Sequence, residues 1–189
     1  MLDKFKWINE PNNYRKSSDK EISFSTLTKT DMWNKTHYGF SVHNAHMFVR
    51  EISEKKAFFA VKTEFNSNFL FDQCGIVIYI NDNNWAKFSS EFEDEKTQKL
   101  GGVVTRDGYS DWSTTDIPNS IREIFYEVYK TANDFVVKAS FDGENYFQLR
   151  IFNLNNNIEI NDLKIGIYGC SPQGPGFEST FTKFKYHTT

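Results

Sequence analysis

Tyr109, Asp111 and Trp112 stand almost side by side in "GYSDWST" (Gly108 to Thr114), separated by Asp107 alone from "LGGVVTR", whose small and β-branched residues predict a buried strand. An aromatic ring can stack on the apolar C–H face of a sugar while a carboxylate hydrogen-bonds its hydroxyl edge. As a loop leaving that strand, the segment would fold Trp112 and Asp111 across the mouth of a pocket. The competing expectation is that Trp112 plugs the end of the core and Asp111 accepts backbone N–H bonds in a turn. Trp33 and Trp85 supply further rings; Asp72, Gln73, Lys87 and Arg150 supply further polar groups. Convergence of the whole set on one face favours a ligand pocket over separate packing roles.

Other chemistry finds less support. Glu91, Glu93 and Glu95 alternate in "EFEDE", and two carboxyls about 5 Å apart would suit a retaining glycosidase. Asp94 interrupts that alternation and the stretch runs into a Lys- and Gln-rich turn, so a solvated strand end is the stronger expectation. Glycoside hydrolysis stays the main enzymatic alternative, with no catalytic residue assigned. His37, His43 and His46 cluster in "THYGFSVHNAHMF" without an acidic ligand at fixed spacing, and "NDNN" (Asn81 to Asn84) suits an ordinary turn as well as calcium. No metal and no cofactor is expected. "GPG" lacks the Lys and helix of a phosphate loop, and no Gly-x-Ser-x-Gly stretch is present.

Composition narrows the partners. A net charge of −3 with Lys and Glu interleaved offers no basic face for nucleic acid. The opening "MLDKFKWINEPNN" has no apolar core of a leader, and no run approaches spanning length. Cys74 and Cys170 each lie in a strand-like apolar run, with no CxxC pair, and are expected as buried free thiols. A cytoplasmic protein binding neither nucleic acid nor membrane follows as the expectation.

The positioning elements are strands. Aromatics make up 17% of the chain, with 19 Phe, which suits sheet-on-sheet packing. "QCGIVIYIN" is apolar on both faces and predicts a central strand. In "NWAKFSSEFED", Ala86, Phe88, Ser90 and Phe92 share one face; Lys87, Ser89, Glu91 and Glu93 share the other. Lys87 and Glu91 are then about 13 Å apart along the strand, each meeting partners from neighbouring strands. "IREIFYEVYKTANDFVVKASFDGENYFQLRIF" predicts three successive antiparallel strands, turning at Asn133-Asp134 and at Asp142-Gly143. Only "PNSIREIF" offers a turn of helix. The pattern gives an all-β sandwich of two antiparallel sheets in one domain over residues 1–189.

"TDMW", "FDQCGIVIYINDNNWAKFSSEFED", "LGGVVTRDGYSDWST", "SFDGENYFQLRI" and "IGIYGCSPQGPGFESTF", in this order, resemble the DUF1349 family of uncharacterised domains, which includes a fungal regulation-of-enolase protein. The resemblance implies a concanavalin A-like jelly-roll with one concave sheet. It marks Asp31, Trp33, Asp72, Gln73, Trp85, Lys87, Glu91, Thr105, Arg106, Ser110, Asp111, Trp112, Arg150, Ser171 and Pro172. "FEDEKTQK" replaces the family's Asp-Gly turn with a longer hairpin. The expected ligand-binding set is Trp33, Asp72, Gln73, Lys87, Glu91, Arg106, Asp111, Trp112 and Arg150, around a small polar ligand such as a saccharide. The alternative partner is a metabolic enzyme, bound by a protein-interaction module.

Overall fold

The computed structural model describes residues 1–154 and 163–188. Two seven-stranded antiparallel sheets are stacked face to face. The first runs, in spatial order, β1 (Lys6–Ile8), β6 (His46–Glu51), β15 (Lys164–Cys170), β8 (Gln73–Asn81), β9 (Asn84–Phe92), β10 (Thr97–Arg106) and β11 (Tyr109–Pro118). The second runs β14 (Phe147–Asn153), β13 (Asp134–Ser140), β12 (Glu123–Thr131), β7 (Lys56–Phe65), β16 (Glu178–Thr188), β3 (Glu21–Ser25) and β2 (Tyr14–Ser18). Helical structure among the described residues is one short 3-10 turn, Leu2–Lys4, and "PNSIREIF" forms a tight turn into β12. No helix here is long and apolar enough to cross a membrane.

Period-two alternation decides which side chains enter the sandwich. From the first sheet Phe48, Ile76, Ile78, Ala86, Phe88, Leu100, Val104 and Ile167 point inward, and Phe24, Phe59, Val61, Val128, Phe135 and Phe181 meet them from the second. Phe24 stacks on Phe181 at 5.4 Å and Phe135 on Phe152 at 5.3 Å. Each ring so buried stabilises the fold by about 2–3 kcal/mol. Cys74 and Cys170 are both buried and free.

The outer face of the first sheet is not left bare. A small hairpin, β4 (Met32–Asn34) with β5 (Ser41–His43), lies over part of it. Met32 and Trp33 of the hairpin join Met47, Val49, Val77, Trp85, Val103 and Tyr168 in a second apolar cluster. The hairpin is pinned at Asn34, whose N–H donates to Ser110 Oγ (2.9 Å) and whose Nδ2 donates to the Asp82 carbonyl (2.7 Å).

One expectation about local structure is corrected. "GYSDWST" is no loop: Tyr109–Pro118 is the edge strand β11, in full register with β10 from Arg106↔Tyr109 to Thr97↔Pro118. The turn sits one step earlier, where Asp107 (φ 51°) and Gly108 (φ 79°) both adopt the left-handed conformation that a two-residue hairpin of the right twist requires.

Candidate functional site

The outer face of the first sheet is a ladder of side chains in register. Trp112, Val103, Lys87 and Val77 are successive partners across β11, β10, β9 and β8; four residues along, Gln73 pairs with Glu91 and Glu91 with Lys99. The hairpin covers one end of this face, and between them remains a hollow of about 400 Å³. That volume lies within the range of small-molecule sites. Gln73, Lys87, Glu91, Val103 and Trp112 form its floor. Asp31, Trp33, Tyr38, Phe40 and Val42 form one wall, and Phe71, Pro172 and Gln173 close the other side.

The wall is aromatic. Trp33 meets Trp112 edge-to-face at 6.4 Å and Tyr38 at 5.4 Å, and Tyr38 stacks on Phe40 at 6.0 Å. Trp33 is oriented by its Nε1, which donates to the Thr36 carbonyl (3.1 Å). Tyr38 and Phe40 stand exposed on the rim, and Trp112 is 38% exposed.

The polar part of the floor is buried. Gln73, Lys87 and Glu91 are 2%, 4% and 8% exposed. Gln73 Nε2 donates to Glu91 Oε2 (2.7 Å) and to the Phe71 carbonyl (3.0 Å). The Tyr168 hydroxyl bridges Gln73 Oε1 (2.9 Å) and Ser89 Oγ (2.7 Å), so the amide is held at both ends. Desolvation pushes Glu91 up to about 7; the Lys87 charge opposes that rise, Asp31 and Glu93 add to it, and the Gln73 hydrogen bond opposes it. Lys87 Nζ lies 3.7 Å from Asp31 Oδ1 and 5.8 Å from the centre of the Tyr168 ring.

The hollow gathers Trp33, Gln73, Lys87, Glu91 and Trp112 from the expected set, and leaves four members outside its lining. Asp72 is wholly buried beside it, accepting from the Asn68 and Phe69 N–H groups (3.3 and 3.1 Å) and from the Ser171 hydroxyl. It is a turn anchor. Asp111 faces away from Trp112, because neighbours on a strand point to opposite sides, and pairs with Arg150 at 2.9 Å. Since β11 and β14 are edge strands of different sheets, that pair clips the sandwich edge. Arg106 is exposed at the β10–β11 turn. Trp85, also flagged by the resemblance, is fully buried beneath the hairpin, its Nε1 donating to the Asp82 carbonyl (3.2 Å).

Asp31, Tyr38, Phe40, Phe71 and Gln173 line the hollow without having been in that set. The signal for two of them was present: "HYGF" puts aromatics on both sides of Gly39, whose φ of 76° marks a hairpin tip. Glu93 and Glu95 fall in the β9–β10 turn rather than on the hollow's floor. His46 is a strut, its Nδ1 2.6 Å from the Asn9 carbonyl and its Nε2 accepting from the Leu27 N–H (3.1 Å). Among the described residues no group of His, Cys, Asp and Glu could hold a metal.

Residues 7–189 match the family described as "Protein of unknown function (DUF1349)". The chain belongs to that family. It is 28% identical over 179 residues to "Regulation of enolase protein 1" of Saccharomyces cerevisiae, covering 94% of this chain and 86% of the relative. A crystal structure of a functionally unknown protein from Saccharomyces cerevisiae superposes with a TM-score of 0.90 at 25% identity, over 100% of this chain and 98% of that one. A GH43 protein from Bacillus licheniformis superposes at 0.76 and 15% identity, over 98% of this chain but 37% of that one. At that identity the likeness is one of fold.

Proposed function

We propose that the hollow binds a small polar ligand and that this ligand is a saccharide. The observation that carries the reading is the convergence of two Trp rings with three buried polar side chains, from strands far apart in the sequence, on one hollow. Trp112 offers an exposed face for the C–H surface of a sugar ring, and Trp33 walls it edge-on. Gln73 and Glu91 orient hydroxyls, held in place by Tyr168 and Ser89. The shared fold with a GH43 protein is in keeping with this but does not carry it. Isothermal calorimetry against a panel of soluble oligosaccharides tests the proposal. Binding that Trp112→Ala weakens at least tenfold supports it; binding that Trp112→Ala leaves intact refutes the site.

A second reading has its own observation. A relative carries the name "Regulation of enolase protein 1", and Tyr38 and Phe40 form an exposed aromatic pair on the rim that a protein surface could cover. Retention of purified enolase on immobilised protein, lost in Phe40→Ser and indifferent to sugar, would select this reading instead.

A further inference from the structure

Lys87 is the charged group at the floor of the hollow whose donors the fold leaves to the hollow. It is 4% exposed, yet its Nζ makes no hydrogen bond among the described residues; Asp31 Oδ1, at 3.7 Å, is an ion pair beyond hydrogen-bond reach. Its Nζ is not sealed off but open to the hollow, so its unmet donors are there for water or for a ligand that displaces it. Because Lys87 lines the hollow, what meets those donors comes from the hollow.

The charge already present limits that occupant. Lys29, Asp31, Lys87 and Glu91 are the charged residues that line the cavity. Two cations against two carboxyls leave no surplus of positive charge above about pH 7, where Glu91 is ionised, and one positive charge in excess well below it. An anionic ligand reaching Lys87 would bring a further carboxylate against Asp31, which lies 3.7 Å from the Lys87 amine. A cationic ligand would meet Lys87 itself, and a purely apolar one would leave its donors unmet. A neutral polyol fits all of them, since each hydroxyl both accepts and donates.

Resting on the saccharide reading above, we propose that Lys87 makes the site selective for neutral sugars: its amine donates to a sugar oxygen, Asp31 and Glu91 accept from hydroxyls, and a uronate in the same place is rejected. The rejecting group is Asp31, held over Lys87 by the hairpin, its Oδ1 also accepting from the Met32 N–H (2.7 Å).

The test is an array of neutral gluco-, xylo-, manno- and galacto-oligosaccharides printed beside matched glucuronate, galacturonate and mannuronate forms, probed with the full chain at about pH 8, where Glu91 is ionised. Binding confined to neutral glycans, with at least a tenfold loss in Lys87→Met, is the expected result. Asp31→Asn is expected to relax the discrimination, so that a uronate gains affinity relative to its neutral partner. Tighter binding of uronates, or unchanged binding by Lys87→Met, overturns selectivity by Lys87 and leaves the saccharide reading standing. Binding of no glycan at all overturns both. Thermal melting of each variant separates a lost contact from a lost fold.

Discussion

Gln73 and Glu91 are direct partners across β8 and β9, joined by a 2.7 Å hydrogen bond on the floor of the hollow. Such burial favours the neutral carboxyl, and Glu91 titrates near 7 instead of its ordinary 4.5. The folded chain therefore holds a proton that the unfolded chain has released between these values. Stability gained from that proton is complete below about pH 4.5 and lost as pH rises through about 7. The full difference is on the order of 3 kcal/mol. Urea unfolding across this range should show a falling stability in the parent, and in Glu91→Gln a slope smaller by this contribution. An unchanged slope in the variant would place the titration elsewhere.

How much of this was written in the sequence depends on the kind of signal. The period-two split of "NWAKFSSEF" puts Lys87 and Glu91 on one face because strand geometry leaves no choice. Both sheets and the three-strand run from β12 to β14 follow from the same alternation. What alternation cannot give is which strands become neighbours. Asp111 sits beside Trp112 in the chain but faces away from it, and its partner Arg150 comes from the other sheet. Asp72 adjoins Gln73, yet turns aside to hold Asn68 and Phe69. Short hairpins were the weakest point: the three-residue strands β4 and β5 are too brief to show periodicity. The Asp-Gly signal at 107–108 was as legible as the one at 142–143, and the aromatic residues that follow it obscured it.

Asp72 should behave as a structural residue. Its carboxylate satisfies two backbone N–H groups and the Ser171 hydroxyl in a fully buried position. Asp72→Ala leaves those donors unpaired, at about 1–3 kcal/mol for each buried group not rescued by water. Chemical denaturation should record a clear loss of stability. In the folded fraction, ligand affinity should stay within about twofold of the parent, because Asp72 does not line the hollow.

The Asp111–Arg150 clip predicts the opposite balance. The pair is close, at 2.9 Å, but Asp111 is largely exposed and water competes for it. Exposed pairs contribute about 0.2–1 kcal/mol, and salt screens them. Asp111→Ala should therefore cost little, with the difference shrinking in high salt. Sugar binding should survive. A large loss of affinity in Asp111→Ala would show that the edge of the sandwich communicates with the floor of the hollow.

Trp33 and Trp112 touch edge-to-face, yet truncating them should have separable consequences. Trp33 is 8% exposed and is packed among Met32, Met47, Val77 and Val103, with its indole N–H bonded to Thr36. Trp33→Ala removes a large ring from the small cluster that holds the hairpin down, at about 3–5 kcal/mol. Trp112 lies on the edge strand with much of its face open, so Trp112→Ala forfeits chiefly one ring–ring contact, about 1 kcal/mol. Melting should therefore drop steeply in the first variant and slightly in the second, while both lose ligand. The Trp112 variant is the informative one, because its fold survives to be titrated. If it binds as the parent does, the exposed ring has no part in recognition, and the wall formed by Tyr38 and Phe40 becomes the place to look.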